Sequence, residues 1–406
     1  MLDKFSNKSL IDKPSFDHGL FWVSMILIGI GLVMVYSSSI ALAETSKKYG
    51  NFSEYFLIRQ TLFICISVIA GFITFLIPIR SWQKVSPYLF LFGLLLLIIV
   101  LIPGIGHKVN GSRRWLSLIV FNLQPSEFMK LFVAMYASDY VLRKSKEIGT
   151  FLKGFLPMAT AIIVVGLLLI KEPDFGALAV ISVIAALILI LGGINKNILL
   201  GLLFVSPIAI WAIINAATYR TSRLSFLDPW SDSLTKNYQL QHSLMAFGRG
   251  EFFGVGLGGS VEKLLYLPEP HTDFILAVLG GSVEKLLYLP EPHTDFILAV
   301  LAEELGFVGV FIVIGLFSWL VIRAFGIAKE AIINENYYSA LLSQGIGIWF
   351  GIQGIMNMGV NMGLLPTKGL TLPLLSYGGS GILANIVGLA ILLRIDWENR
   401  RGLRGI

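Results

Sequence analysis

Ten long apolar stretches govern what this chain can fold into. They run at about residues 19–43, 55–79, 86–104, 126–143, 154–171, 174–193, 197–217, 304–323, 338–361 and 377–394. Each is close to the roughly 20 residues with which a helix crosses about 30 Å of hydrocarbon. In lipid every backbone polar group must be bonded within the protein, which leaves helices or a closed barrel. None of the stretches alternates with period two, so all ten read as helices. Composition agrees, with 55% of residues hydrophobic and only 14% charged, against about 25% charged in a soluble domain. The expected fold class is an all-α polytopic membrane protein of ten transmembrane helices, a single integral-membrane domain over residues 1–406.

Charge sets the expected orientation. With both termini cytoplasmic, the cytoplasmic segments hold sixteen Lys and Arg residues and the short outer loops seven, as the positive-inside rule requires. Asp3, Asp12 and Asp17 precede the first apolar run and no cleavage site follows it, so the first helix is expected to be retained. The single cysteine, Cys65, excludes an internal disulfide. The basic tail "RIDWENRRGLRGI" suits an anionic inner leaflet, and nothing in the pattern calls for nucleic acid.

The polar residues that break the apolar pattern gather on the expected outer side. A long loop, 218–303, lies between the seventh and eighth helices. Arg113 and Arg114 stand beside Trp115, a grouping that suits either a phosphate or simple interface anchoring. Glu127 and Lys130 are three apart at a helix start, with Ser126 placed to cap it; they read as an inward-facing polar pair or a helix-locking ion pair. Asp174, in "KEPDFGA", lines a cavity or sits in a solvated turn. Residues 357–381 are rich in Gly and Pro and carry Asn357, Asn361, Lys368 and Ser376, which reads as a cavity wall or re-entrant turn.

Within the long loop "GGSVEKLLYLPEPHTDFILAVL" occurs twice without a difference, at 258–279 and 280–301. Each copy packs two carboxylates around a histidine: Glu269, His271 and Asp273, then Glu291, His293 and Asp295. Such groups are the usual general bases, and their spacing fits no specific metal motif. The six apolar residues after Asp273 cannot span a bilayer, whereas the six after Asp295 continue into the eighth helix. One working copy is therefore expected, at Asp295, with the first copy an extra outer loop.

The motifs "NGSRRWL", "QPSEFMK", "EPDFG", "FLDPW", "SLMAFGRGE", "LPEPHTDFILAVLAEELGF" and "LPTKGLTLPLLSYGGSG" follow one another along the chain. In that order they resemble the SEDS family (shape, elongation, division and sporulation), and its cell-division branch more than its elongation branch. The resemblance implies a peptidoglycan glycosyltransferase of the bacterial inner membrane, acting at the division septum. Its implied substrate is lipid II, a disaccharide-peptide on undecaprenyl pyrophosphate. The implied partners are a class B penicillin-binding protein, which cross-links the strands, and other divisome membrane proteins. It implies Asp295 as the essential carboxylate, with Asp273 as its duplicate. Arg113, Arg114, Trp115, Glu127, Lys130, Asp174, Glu291, His293, Lys368 and Ser376 are the substrate-binding candidates, Glu127 orienting Lys130. No organic cofactor is implied. A divalent cation, Mg or Mn, stays open, with Glu291 and Asp295 as its candidate ligands. Pro292 and Pro270 depart from the family, which has Ala there, as does Gly381, where Ser is common. Two rival readings stand beside this one: a lipid II flippase, and a scaffold that only recruits and activates its partner.

Overall fold

The computed structural model describes residues 16–45, 52–109, 112–117, 122–198, 200–201, 228, 230, 238–261, 295–366 and 370–403. Nine of the ten expected spans fall on helices: α1 (His18–Thr45), α2 (Tyr55–Leu76), α3 (Ile79–Leu101), α4 (Pro125–Arg143), α5 (Leu156–Lys171), α6 (Phe175–Leu191), α8 (Ile297–Ile333), α9 (Tyr337–Asn361) and α10 (Gly379–Leu403). A π-helical turn, Phe151–Phe155, leads into α5. Most of the expected seventh span, 202–217, lies outside the described residues. Six of the helical segments are long and apolar enough to cross a membrane, and the chain is a multi-pass membrane protein. α2 and α3 present Ile69, Phe72, Leu91 and Phe92 outward, as side chains facing lipid would be. α4 is the opposite case, with fifteen of its nineteen residues buried, so it runs through the centre of the bundle.

Side-chain contacts fix the directions of neighbouring helices. Asp17 at the start of α1 pairs with Arg323 of α8, while Ser37, late in α1, donates to Glu304 near the start of α8 at 2.6 Å. The two helices therefore run antiparallel. α2 and α10 instead run parallel: Gln60 reaches the carbonyl of Ser376, just before α10, and Arg394, further along α10, reaches the carbonyl of Phe75 near the end of α2.

Three boundaries correct the sequence reading. α3 begins at Ile79 rather than 86, directly after Pro78. Its polar first turns stay helical because long basic side chains can reach from an apolar stem to the membrane surface. α10 continues to Leu403, so most of the basic tail is helix, braced by Arg394–Glu398 at 2.7 Å and Arg400–Asp396 at 2.8 Å, both four residues apart. The long loop ends at 296, not 303, and contains a helix of its own, α7 (Tyr238–Gly250). Glu303 and Glu304 do not end the apolar run, because both are fully buried with partners inside the protein.

α8 is broken once, at Gly306, where φ is 66° and ψ −170°. The break frees backbone groups on both sides, and one short stretch after α7 takes them up. Val255 and Gly256 donate to the carbonyls of Glu303 and Glu304, and the amides of Phe307 and Val308 donate to Glu251 and Phe252. Buried backbone groups need such partners. The fit is close: a Cβ on Gly306 would stand 2.4 Å from the Gly254 nitrogen, and one on Gly254 would stand 2.2 Å from the Glu304 oxygen.

Between α3 and α4 lies a three-stranded antiparallel sheet: β1 (Gly106–Val109), β2 (Ser112–Ser117) and β3 (Asn122–Leu123). The sequence reading has no strand here, although Asn110-Gly111 between β1 and β2 is a strong two-residue hairpin signal.

Candidate functional site

Four side chains on α9 recur every fourth residue, Trp349, Gln353, Asn357 and Asn361, and all are buried. A step of four keeps them near one face, about 6 Å apart along the axis. Gln353 Oε1 accepts from Lys130 Nζ at 2.7 Å and from Trp349 Nε1 at 2.8 Å, and its amide nitrogen donates to the Thr371 carbonyl at 2.9 Å. Lys130 also pairs with Glu127 Oε1 at 2.7 Å and lies 5.6 Å from the centre of the Trp349 ring. Lys130 has no exposed surface. A buried ion pair is tolerable only when further hydrogen bonds satisfy it, and Gln353 supplies one. Pro125 opens α4 and places Glu127 in its first turn.

The lower half of the same stripe holds the doubled segment. Asn357 and Asn361 each donate to the backbone carbonyl of Asp295 at 3.0 Å. Asn357 also bonds the Leu370 carbonyl, and Ser243 of α7 donates to the Asn361 carbonyl at 2.6 Å. Asp295 stands two residues before the first turn of α8, where the helix dipole favours a negative charge. One helix thus carries both the Glu127–Lys130 pair and Asp295. Gln353 is absent from the sequence-based site; the signal that would reveal it is amide side chains at a spacing of four in an otherwise apolar helix.

The turn between α5 and α6 closes one side. Asp174 caps α6 by accepting from the Ala177 amide at 3.1 Å, and its other oxygen accepts from Ser126 at 2.9 Å and Gln124 at 3.2 Å. Asp174 is buried, so of the two alternatives the solvated turn is excluded. Arg114 donates to the carbonyls of Glu172 and Pro173, tying β2 to this turn. Glu172 is fully buried and neither of its carboxylate oxygens has a partner among the described residues. Burial, reinforced by the charge of Asp174 and opposed by Arg114, pushes its pKa up to about 9.

The remaining candidates divide. Arg113 and Trp115 are half-buried on β2, and the register sets Lys108 opposite Arg113 and His107 opposite Trp115. Ser376 is buried and accepts from the Leu372 amide at 2.8 Å, closing a turn before α10. Asp273, Glu291, His293 and Lys368 lie outside the described residues. Among the described residues no three His, Cys, Asp or Glu side chains gather as a metal site.

The two copies of the doubled segment are used at different ends. Ser260 and Val261, in the first copy, donate to the Glu303 carboxylate, the Val261 amide at 2.9 Å. Asp295, in the second, is held by α9. The expectation that the first copy is wholly extra is therefore corrected: its opening residues are docked, because Glu303 is buried and needs donors.

Comparison with known proteins places this geometry. The family model FTSW_RODA_SPOVE, described as "Cell cycle protein", matches residues 18–283 and 279–401. The two matches overlap within the doubled segment. A probable peptidoglycan glycosyltransferase FtsW of Aromatoleum aromaticum is 54% identical over 387 residues, 95% of this chain and 89% of that relative. Its counterpart in Burkholderia thailandensis is 50% identical over 96% of this chain and 80% of the relative. A solved chain from a study of how a peptidoglycan synthase complex coordinates polymerization and crosslinking superposes with a TM-score of 0.73 at 25% identity, covering 95% of this chain and 98% of that one. The rod shape determining protein RodA of Thermus thermophilus shares the fold, with a TM-score of 0.63 at 23% identity, covering 94% of this chain and 96% of that one.

Proposed function

This chain belongs to the FTSW_RODA_SPOVE family of cell cycle proteins, and from that premise we propose that it polymerises lipid II into glycan strands at the outer face of the bacterial inner membrane, at the division septum. The observation that carries this reading is the α9 stripe, which holds Asp295 and the Glu127–Lys130 pair on one helix face. A ten-helix arrangement with cytoplasmic termini, expected from the charge bias, supports that face being outside, where a lipid-anchored sugar diphosphate presents its reacting carbon.

The chemistry is an inverting transfer. The 4-hydroxyl of the acceptor sugar attacks the anomeric carbon of the growing strand, the bond to pyrophosphate breaks, and Asp295 takes the hydroxyl proton. A carboxylate in that role contributes about 10²–10⁴-fold. The departing pyrophosphate gathers negative charge, which nearby cations stabilise. Arg113, half-buried on β2 beside Trp115, suits this task. Lys130 is enclosed by Glu127 and Gln353, so its role is to hold the α9 face in shape rather than to touch phosphate. A divalent cation, Mg or Mn, held by Asp295 and Glu291 would supply further charge neutralisation at the leaving group. Lys368 and His293 complete the set of substrate contacts.

A class B penicillin-binding protein is the expected cross-linking partner, alongside other divisome membrane proteins. The complex supplied with labelled lipid II should form glycan polymer, and Asp295→Ala should lower the rate at least 100-fold without loss of folded protein. Polymer at an undiminished rate from that variant refutes the assignment of Asp295. The break in α8 at Gly306 favours the flippase as the second reading, because transporters use interrupted helices. A complex that moves lipid II across vesicles but never polymerises it would establish that reading instead. A complex that does neither points to the scaffold.

A further inference from the structure

The segment that delivers Asp295 is fixed at both ends, and the two ends come from different copies. At its entrance, Glu303 accepts from the Ser260 hydroxyl and the Val261 amide, and Arg249 of α7 lies 3.6 Å from the same carboxylate. Glu303 has no exposed surface. At its exit, Asn357 and Asn361 grip the Asp295 carbonyl. Residues 258–261 belong to the first copy and residue 295 to the second. The family matches, 18–283 and 279–401, each cover one complete copy.

We propose that Glu303 is a positioning residue for the Asp295 base, and that the doubled segment forms one composite loop whose first copy supplies the entrance anchor and whose second supplies the carboxylate. This rests on the reading of Asp295 as the base. The physical reason is geometric: a base must be held within a fraction of an ångström of its target. Glu303 lies on the first part of α8, eight residues after Asp295 and before the break at Gly306, so the same rigid turns that carry the base also carry the anchor of the incoming chain. Extra residues between two fixed ends alter loop closure only slowly with length. The fold therefore tolerates the insertion without moving either end. Because the copies are identical, removing 258–279 or 280–301 yields one and the same sequence, with one entrance Ser-Val and one exit Asp.

The assignment makes residues of identical sequence context behave differently. In full-length protein carrying Cys65→Ser, in native membranes, Ser260→Cys with Glu303→Cys should form a disulfide under mild oxidation, read as linked peptides by mass spectrometry. Ser282→Cys with Glu303→Cys should give at least tenfold less. Equal yields, or the reverse order, overturn the composite loop whether or not the protein polymerises lipid II. For the positioning role, Ser260→Ala should lower kcat about threefold to tenfold with KM for lipid II unchanged, while Ser282→Ala leaves both unchanged. Glu303→Gln, which keeps one acceptor oxygen for the Val261 amide and offers an N–H to the Ser260 hydroxyl oxygen, should retain more kcat than Glu303→Ala. A rise in KM with unchanged kcat in Ser260→Ala, or Glu303→Gln no better than Glu303→Ala, refutes positioning by Glu303. Absence of polymer from the unmodified chain would refute the proposed function while the cross-link ratio still decides the loop.

Discussion

The two ends of the helix bundle carry their charges in opposite ways. At the end holding Arg143 and Arg400, three of the ion pairs join residues four apart on one helix, while Asp17–Arg323 bridges α1 and α8. Arg143 and Asp139 are four residues apart on one helix, and the Arg143 side chain is 51% exposed. At the end holding Asp295, Lys130 is wholly enclosed, its carboxylate partner is 8% exposed, and Glu172, Glu303 and Glu304 have no exposed surface. Exposed pairs contribute little, about 0–1 kcal/mol, so the first end needs nothing more than proximity. Buried ones are costly unless every remaining group is satisfied, which is why the second end is threaded with amides and hydroxyls.

That contrast can be broken by experiment. The largest effect is expected from Lys130→Ala, which leaves Glu127 charged and buried; thermal unfolding in detergent should show a loss of about 3–5 kcal/mol. Lys130→Met with Glu127→Gln removes both charges and should recover most of that stability while polymerisation stays impaired. Recovery of full activity would show that the Lys130–Gln353 hydrogen bond is not needed to shape the α9 face. Gly306→Ala comes next. Its positive φ and the 2.4 Å approach to Gly254 leave no room for a methyl group, so a loss of about 1–3 kcal/mol is expected. A silent Gly306→Ala would show that the stretch 251–256 does not seal the break.

Glu172 gives a pH signature. The unfolded chain releases this proton near pH 4.5 and the folded chain holds it to about 9. Between those values the folded state binds more protons, so stability falls as pH rises across that window and levels off above it. Glu172→Gln should flatten this slope in melting curves taken from pH 5 to 9; an unchanged slope would place the titration elsewhere. The smallest effect is expected at the opposite end, where Arg143→Ala should cost under about 1 kcal/mol and vanish at high salt. A loss as large as that of Lys130→Ala would erase the distinction between the two ends.

Much of this was readable from residue order alone. Apolar length and the absence of alternation gave nine helices close to where they stand, because in lipid the backbone has no other local solution. The pairing of Glu127 with Lys130 followed from a spacing of three at a helix start. The β hairpin was equally local, since Asn110-Gly111 announces it, yet it is easily passed over in a chain dominated by helices.

Other features depended on distance in sequence and could not be read along the chain. Glu303 and Glu304 look like the end of an apolar run until Ser37 and Ser260 are brought to them from 267 and 43 residues away. Gln353 and Asn357 look like weak points in α9 until Lys130 and the Asp295 carbonyl meet them. The doubled segment shows the division most plainly. Sequence determined that only the second copy runs on into a helix, because six apolar residues cannot cross a bilayer. Only the tertiary structure decided that the first copy is also engaged, because a buried carboxylate requires donors and Ser260 and Val261 are the ones the fold delivers.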